Sequence, residues 1–105
     1  MEFTHEVKSL YITLLKKLNK LGKVTVEEKK TSIHLKNRAG FAGVHPRKNY
    51  FILTIVSSDP IKSSRVIKLE QVSKSRFHNE VRIEKSEDIN AELLGWLKDA
   101  YMLMA

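Results

Sequence analysis

Tyr50-Phe51-Ile52-Leu53-Thr54-Ile55-Val56 is the stretch on which the fold turns. It is apolar at both odd and even positions, and four of its seven residues branch at Cβ. A strand of that kind has to be covered on both faces, which places it near the centre of a sheet. Ser57-Ser58-Asp59-Pro60 breaks it on one side, and Arg47-Lys48-Asn49 makes a tight connection on the other.

Working outward, Phe41-Ala42-Gly43-Val44-His45 is a short strand ended by Pro46. Asn37-Arg38-Ala39-Gly40 is a turn. Thr31-Ser32-Ile33-His34-Leu35-Lys36 alternates apolar and polar, the mark of a half-buried strand, and Val24 and Val26 open the region. Downstream, Val66–Glu70 and Asn79–Ile83 are the last two strand candidates. Connections this short favour an antiparallel meander.

Helices flank the strands. Val7, Leu10, Tyr11, Leu14, Leu18 and Leu21 recur at helical spacing and predict an amphipathic helix over 5–21, with Thr4 as N-cap and Gly22 just past its end. A second helix is expected after Ser86, read as its N-cap. Its wide apolar face is Ile89, Leu93, Trp96, Leu97, Ala100, Tyr101 and Met104. The expected architecture is α+β: an N-terminal helix, a mostly antiparallel sheet of five or six strands and a C-terminal helix, both helices on one sheet face.

Composition sets the outer limits. The chain has 105 residues, the size of one domain spanning 1–105. It contains no cysteine, which excludes disulfides, zinc–thiolate sites and thiol catalysis and makes a cytoplasmic location the expectation. No apolar run reaches the ~20 residues of a membrane span, and the acidic, mixed start does not resemble a secretory signal. Net charge is +7, and it is unevenly placed. Residues 1–28 hold five lysines against four carboxylates. Residues 29–82 hold twelve Lys or Arg against Asp59, Glu70 and Glu80 alone. Residues 83–105 hold Lys85 and Lys98 against five carboxylates. The middle of the chain therefore carries the whole basic excess, and such a field attracts polyanions.

Local chemistry is sparse. His5, His34, His45 and His78 show no metal-ligand spacing, so no metal or other cofactor is expected. No serine lies in G-x-S-x-G, and paired carboxylates occur only at element ends. These features favour a binding module over an enzyme. Gly40-Phe41-Ala42-Gly43 lacks the third glycine and following helix of a phosphate loop; Gly43 instead marks a place where a large group approaches the strand closely.

If Ile33 and Leu35 face the helices, His34 and Lys36 face the other way; the aromatics Phe41, Tyr50 and Phe77 lie among the cations of the loops and strand ends, with core packing as their alternative role. Such faces bind single-stranded nucleic acid by stacking and phosphate contact. The expected anion-binding residues are Arg38, Arg47, Lys48, Arg65, Arg76 and His78, with nucleic acid or another polyanion as partner. One alternative is a homodimeric structural domain with incidental charge, because two helices cover only one face of a strand that is apolar on both. Another is a small-molecule or enzymatic site between sheet and loops.

The stretch Arg38-Ala39-Gly40-Phe41-Ala42-Gly43-Val44-His45-Pro46-Arg47-Lys48 resembles the middle of the domain of unknown function family numbered 5655. Arg76–Ile83, Ser86-Glu87-Asp88-Ile89 and Trp96-Leu97-Lys98-Asp99-Ala100-Tyr101 resemble its end, and the likeness spans roughly residues 5–102. The resemblance implies a small α+β domain, carries no assigned chemistry and leans towards binding. Asn79 departs from its pattern, which often has a second histidine there, so a paired-histidine site is not implied here.

Overall fold

The computed structural model describes residues 3–105. Helix α1 runs His5–Leu18, and the Thr4 hydroxyl accepts from the Val7 N–H at 3.4 Å, satisfying one of its free N-terminal donors. The chain leaves the helix at Leu18 rather than Leu21, because Asn19 and Leu21 close single turns back onto Leu15 and Leu18. Gly22 follows with φ +149°, a conformation that disfavours any side chain.

Six strands form one sheet: β1 Thr25–Glu28, β2 Ile33–Lys36, β3 Gly40–Pro46, β4 Phe51–Ser57, β5 Val66–Ser73 and β6 Arg76–Ile83. Every neighbouring pair is antiparallel and the order is β1-β2-β3-β4-β6-β5. A plain meander is therefore incorrect at one point. The eight residues Ser58–Arg65 carry the chain from β4 past the place next to it, so β5 takes the edge and β6 returns between them. The β-strand at the end is also longer than the sequence pattern shows: Arg76, Phe77 and His78 belong to β6, not to the preceding loop.

Ser86 does not cap the second helix. Ser86–Asp88 is a separate single 3₁₀ turn, in which the Asp88 carboxylate accepts from the backbone N–H groups of Glu84 and Lys85 at 2.8 and 3.1 Å. Ile89 is buried next, and α2, Ala91–Leu103, starts from Asn90, whose side-chain oxygen accepts from the Leu93 N–H at 3.0 Å. A buried Ile between two capping residues fixes the entry angle of the helix.

Both helices lie on one face. Val7, Leu14 and Leu18 of α1 and Leu93, Leu97 and Tyr101 of α2 join Ile33, Leu35, Val44, Phe51, Leu53, Ile55, Val81 and Ile83 of the sheet in a single core. The Phe41 ring meets Tyr101 edge-on with centroids 5.3 Å apart. Each fully buried Leu or Ile here contributes about 2 kcal/mol through removal from water. Among the described residues the opposite face of the sheet carries no helix, and it positions the site.

Candidate functional site

Strand register decides what the uncovered face presents. In β2, Ile33 and Leu35 are buried against the helices, so His34 and Lys36 point outward. A bulge interrupts the pairing of β2 with β3: Leu35 faces Ala42, Lys36 faces Gly40, and Phe41 is the extra residue. Phe41 thereby turns into the core, while Gly43 and His45 take the outward side. In β4 and β6 the outward residues are Ile52, Thr54 and Val56, and His78, Glu80 and Arg82.

Pairing then lines them up. One transect across the sheet reads Glu27, His34, Gly43, Thr54, Glu80, Lys68. Gly43 has no side chain, so this row dips in the middle. The His45 imidazole lies over the dip: a Cβ placed on Gly43 would sit 3.4 Å from His45 Nε2. The close approach expected at Gly43 is real, and the group that approaches is a histidine of the same strand. The result is a shallow cleft of about 310 Å³ lined by His34, Gly43, His45, Thr54, Val56 and His78. Burial holds His45 below its ordinary pKa, with the charge of Arg47 and the neighbouring His34 acting in the same sense and Glu80 opposing them.

The apolar residues of β4 on this face are only 8% exposed at Ile52 and Val56, although no helix of the described residues lies over them. Their nearest cross-strand partners are His45 and Arg82 for Ile52, and His78 for Val56. Long planar side chains from β3 and β6 therefore take the place of a second layer. Arg82 also stacks its guanidinium 3.8 Å from the centroid of Tyr50 and pairs with Glu84 at 3.1 Å.

The six residues expected to bind an anion do not form one cluster. His78 lines the cleft, and Arg76 lies two positions earlier on the same side of β6. Arg38, in the β2–β3 turn, is at the same end of the sheet as Arg76, because both the start of β3 and the start of β6 adjoin the end of β4. Arg47 and Lys48 occupy the β3–β4 turn at the opposite end, where the Lys48 carbonyl accepts from the Thr4 hydroxyl at 3.0 Å. Arg65 sits by the helices: it donates to the Asp88 carbonyl at 2.7 Å and to Asn90 at 3.1 Å, pairs with Glu92 at 3.4 Å, and lies 5.7 Å from the Trp96 ring.

Among the described residues, Arg38, Arg47, Lys48 and Arg76 enter no ion pair, whereas Lys29 and Lys36 are both held by Glu27. Those two lysines keep the Glu27 carboxyl down at about 2. Residue patterns alone identified His78 but not its companions His45, Thr54 and Arg82. The bulge at Phe41 resets the parity of β3 and so brings out His45, and the regular pairing of β4 with β3 and β6 then places Thr54 and Arg82 on the same face.

Asn79, by contrast, points to the helix side and is fully buried. Its amide nitrogen donates to the Ile55 carbonyl at 2.9 Å and to Ser57 Oγ at 2.8 Å, and its oxygen accepts from the Ile61 N–H at 3.0 Å. It fastens the β4–β5 connection to the sheet and is separated from His78 by the strand itself. A second, larger cleft of about 490 Å³ lies between that connection and α2, lined by Val56, Ile61 and Trp96 with Asp59 and Asp99. Its carboxylates make it the wrong place for an anion.

No helix among the described residues is long and apolar enough to cross a membrane. No curated protein and no solved structure matches the chain. Residues 3–104 match the family described as Domain of unknown function (DUF5655), nearly the whole length that carries the helices, the sheet and the cleft, and the chain belongs to that family.

Proposed function

We propose that the domain is a non-enzymatic binding module for an anionic partner, single-stranded nucleic acid, held on the uncovered face of the sheet. The observation that carries this reading is the convergence of His34, His45 and His78 on one cleft floored by Gly43. Imidazole and guanidinium planes stack on unpaired bases, and the Tyr50–Arg82 pair extends the same surface towards the β3–β4 turn. Arg76 and Arg38 at one end, and Arg47 and Lys48 at the other, supply phosphate partners along a strand that crosses the cleft. Glu80 and Glu70 on the same face limit how much negative charge it tolerates close to β5.

The test is fluorescence anisotropy with labelled DNA and RNA strands of about 12 nucleotides, near the upper range of a single small-domain site. Binding is expected at roughly 20 mM salt. Its constant should fall with a log–log slope of about −0.7 for each phosphate contacted. His34→Ala and His78→Ala should each weaken binding by about 1–3 kcal/mol if they stack on bases. A nucleoside monophosphate should compete poorly, since it reaches the cleft but not the flanking arginines. Absence of binding at low salt, with the fold intact, would remove the proposal.

A further inference from the structure

The two edges of the sheet are unlike. Strand β1 has four residues, and Glu27, Glu28, Lys29 and Lys30 crowd its end. Charge and shortness of that kind blunt an edge. Strand β5 has eight residues and no proline, and among the described residues no strand lies on its outer side. Ile67, Leu69 and Val72 are 58, 48 and 48% exposed along it. Ile67 and Val72 are the extra residues of two bulges towards β6, so the stretch Lys68-Leu69-Glu70-Gln71 between them is the regular part of the edge.

We propose that this edge pairs with a second copy of the chain, β5 against β5 antiparallel, about a two-fold axis at Leu69. The sequence of the strand is self-complementary in that register alone. With Leu69 opposite the partner's Leu69, Lys68 faces the partner's Glu70 and Glu70 faces the partner's Lys68, on the same side of the sheet. Val66 faces the partner's Val72. Directly opposed unlike charges and apolar pairs stabilise antiparallel strands, and like charges destabilise them. A shift of two residues places Glu70 against Glu70 or Lys68 against Lys68, and a shift of one turns Leu69 to the wrong face. The interface is isologous, as a closed dimer requires, and it continues the sheet into twelve strands. The edge proposal does not depend on nucleic-acid binding.

The experiment is sedimentation or light scattering of the full chain at concentrations up to the order of 100 μM, where weak dimers populate. The expected mass at the upper end is twice 12.1 kDa. Glu70→Lys opposes two lysine pairs and should return the monomer, and Lys68→Glu combined with Glu70→Lys should restore the dimer, circular dichroism confirming the fold of each. The chain has no cysteine, so Leu69→Cys supplies a single thiol opposite its copy. It should form a disulfide-linked dimer under mild oxidation at a concentration where Ile12→Cys, exposed on α1, does not. A monomer at every concentration overturns the proposal. So does a dimer that Glu70→Lys leaves intact and Leu69→Cys does not cross-link.

Discussion

The Tyr101 hydroxyl donates to the Lys23 carbonyl at 2.9 Å and stands 2.5 Å from the point that a Cβ on Gly22 would occupy. One phenol therefore ties the end of α2 to the connection between α1 and β1, and it fits only because residue 22 has no side chain. With φ at +149°, Gly22 also holds a backbone conformation closed to other residues. Gly22→Ala is expected to destabilise the fold by about 2–4 kcal/mol, combining backbone strain with the displaced hydroxyl. Tyr101→Phe should cost about 1 kcal/mol by leaving that carbonyl unpaired. Urea unfolding of both variants measures the order; equal costs would contradict it.

The buried Asn79 side chain makes three hydrogen bonds, two to β4 at Ile55 and Ser57 and one to the β4–β5 connection at Ile61. Asn79→Ala leaves the Ile61 N–H and Ile55 carbonyl without their partner and should cost about 2–4 kcal/mol. Amide exchange is expected to speed up at Ile61 while α1 stays protected. Uniform loss of protection along the chain would show that Asn79 acts on the whole fold instead.

Arg65 and Arg76 carry the same charge and should behave in opposite ways. Arg65 is engaged by the Asp88 carbonyl, Asn90, Glu92 and Trp96, so Arg65→Ala should lower stability by about 1–2 kcal/mol and leave oligonucleotide affinity unchanged. Among the described residues, the Arg76 guanidinium enters no ion pair and donates to the neighbouring Ser75 carbonyl. Arg76→Ala should stay within about 0.5 kcal/mol of wild type in stability while weakening binding and flattening its salt dependence. Thermal melts and anisotropy on the same two samples decide it.

How far the site could be read from residues alone differs between these two arginines for a physical reason. Charge is visible in a sequence, but the partner that consumes it is not: Arg65 meets residues more than twenty positions away. The helices, the six strands and the central place of Phe51–Ser57 follow from apolar periodicity, which is local. The exchange of β5 and β6 does not, because it depends on where the loop through Ile61 packs. Nor does the outward turn of Gly43 and His45, since a single bulged residue inverts everything after it. The apolar second face of β4 indicates a cover, and the residues that provide it are charged or polar ones whose planes lie flat.

His45 gives a pH dependence with a definite sign. Burial sets its folded pKa below 6.5, so the unfolded chain takes up its proton first as the solution is acidified. Stability is therefore expected to be full above the ordinary imidazole range and to fall as pH drops through 6.5 towards the lower folded value. His45→Gln should flatten that part of the profile. Denaturant midpoints compared between pH 7.5 and pH 5.5 provide the check, to about the precision of a linear extrapolation; an identical profile in the variant would assign the acid sensitivity elsewhere.

The placing of β6 between β4 and β5 also means that β4's neighbour on that side of the sheet is not its neighbour in the chain. In the finished sheet β5 pairs with no strand of the described residues except β6, so its partner follows it in the chain and folds back on it through Lys74 and Ser75. Asn79, in the second arm of the hairpin closed by Lys74 and Ser75, clasps a loop that was laid down before it. During synthesis the seam beside β4 therefore stays open while some twenty-five residues from Ser58 onward emerge, and whatever shields Ile55 in that interval is not yet part of the native structure.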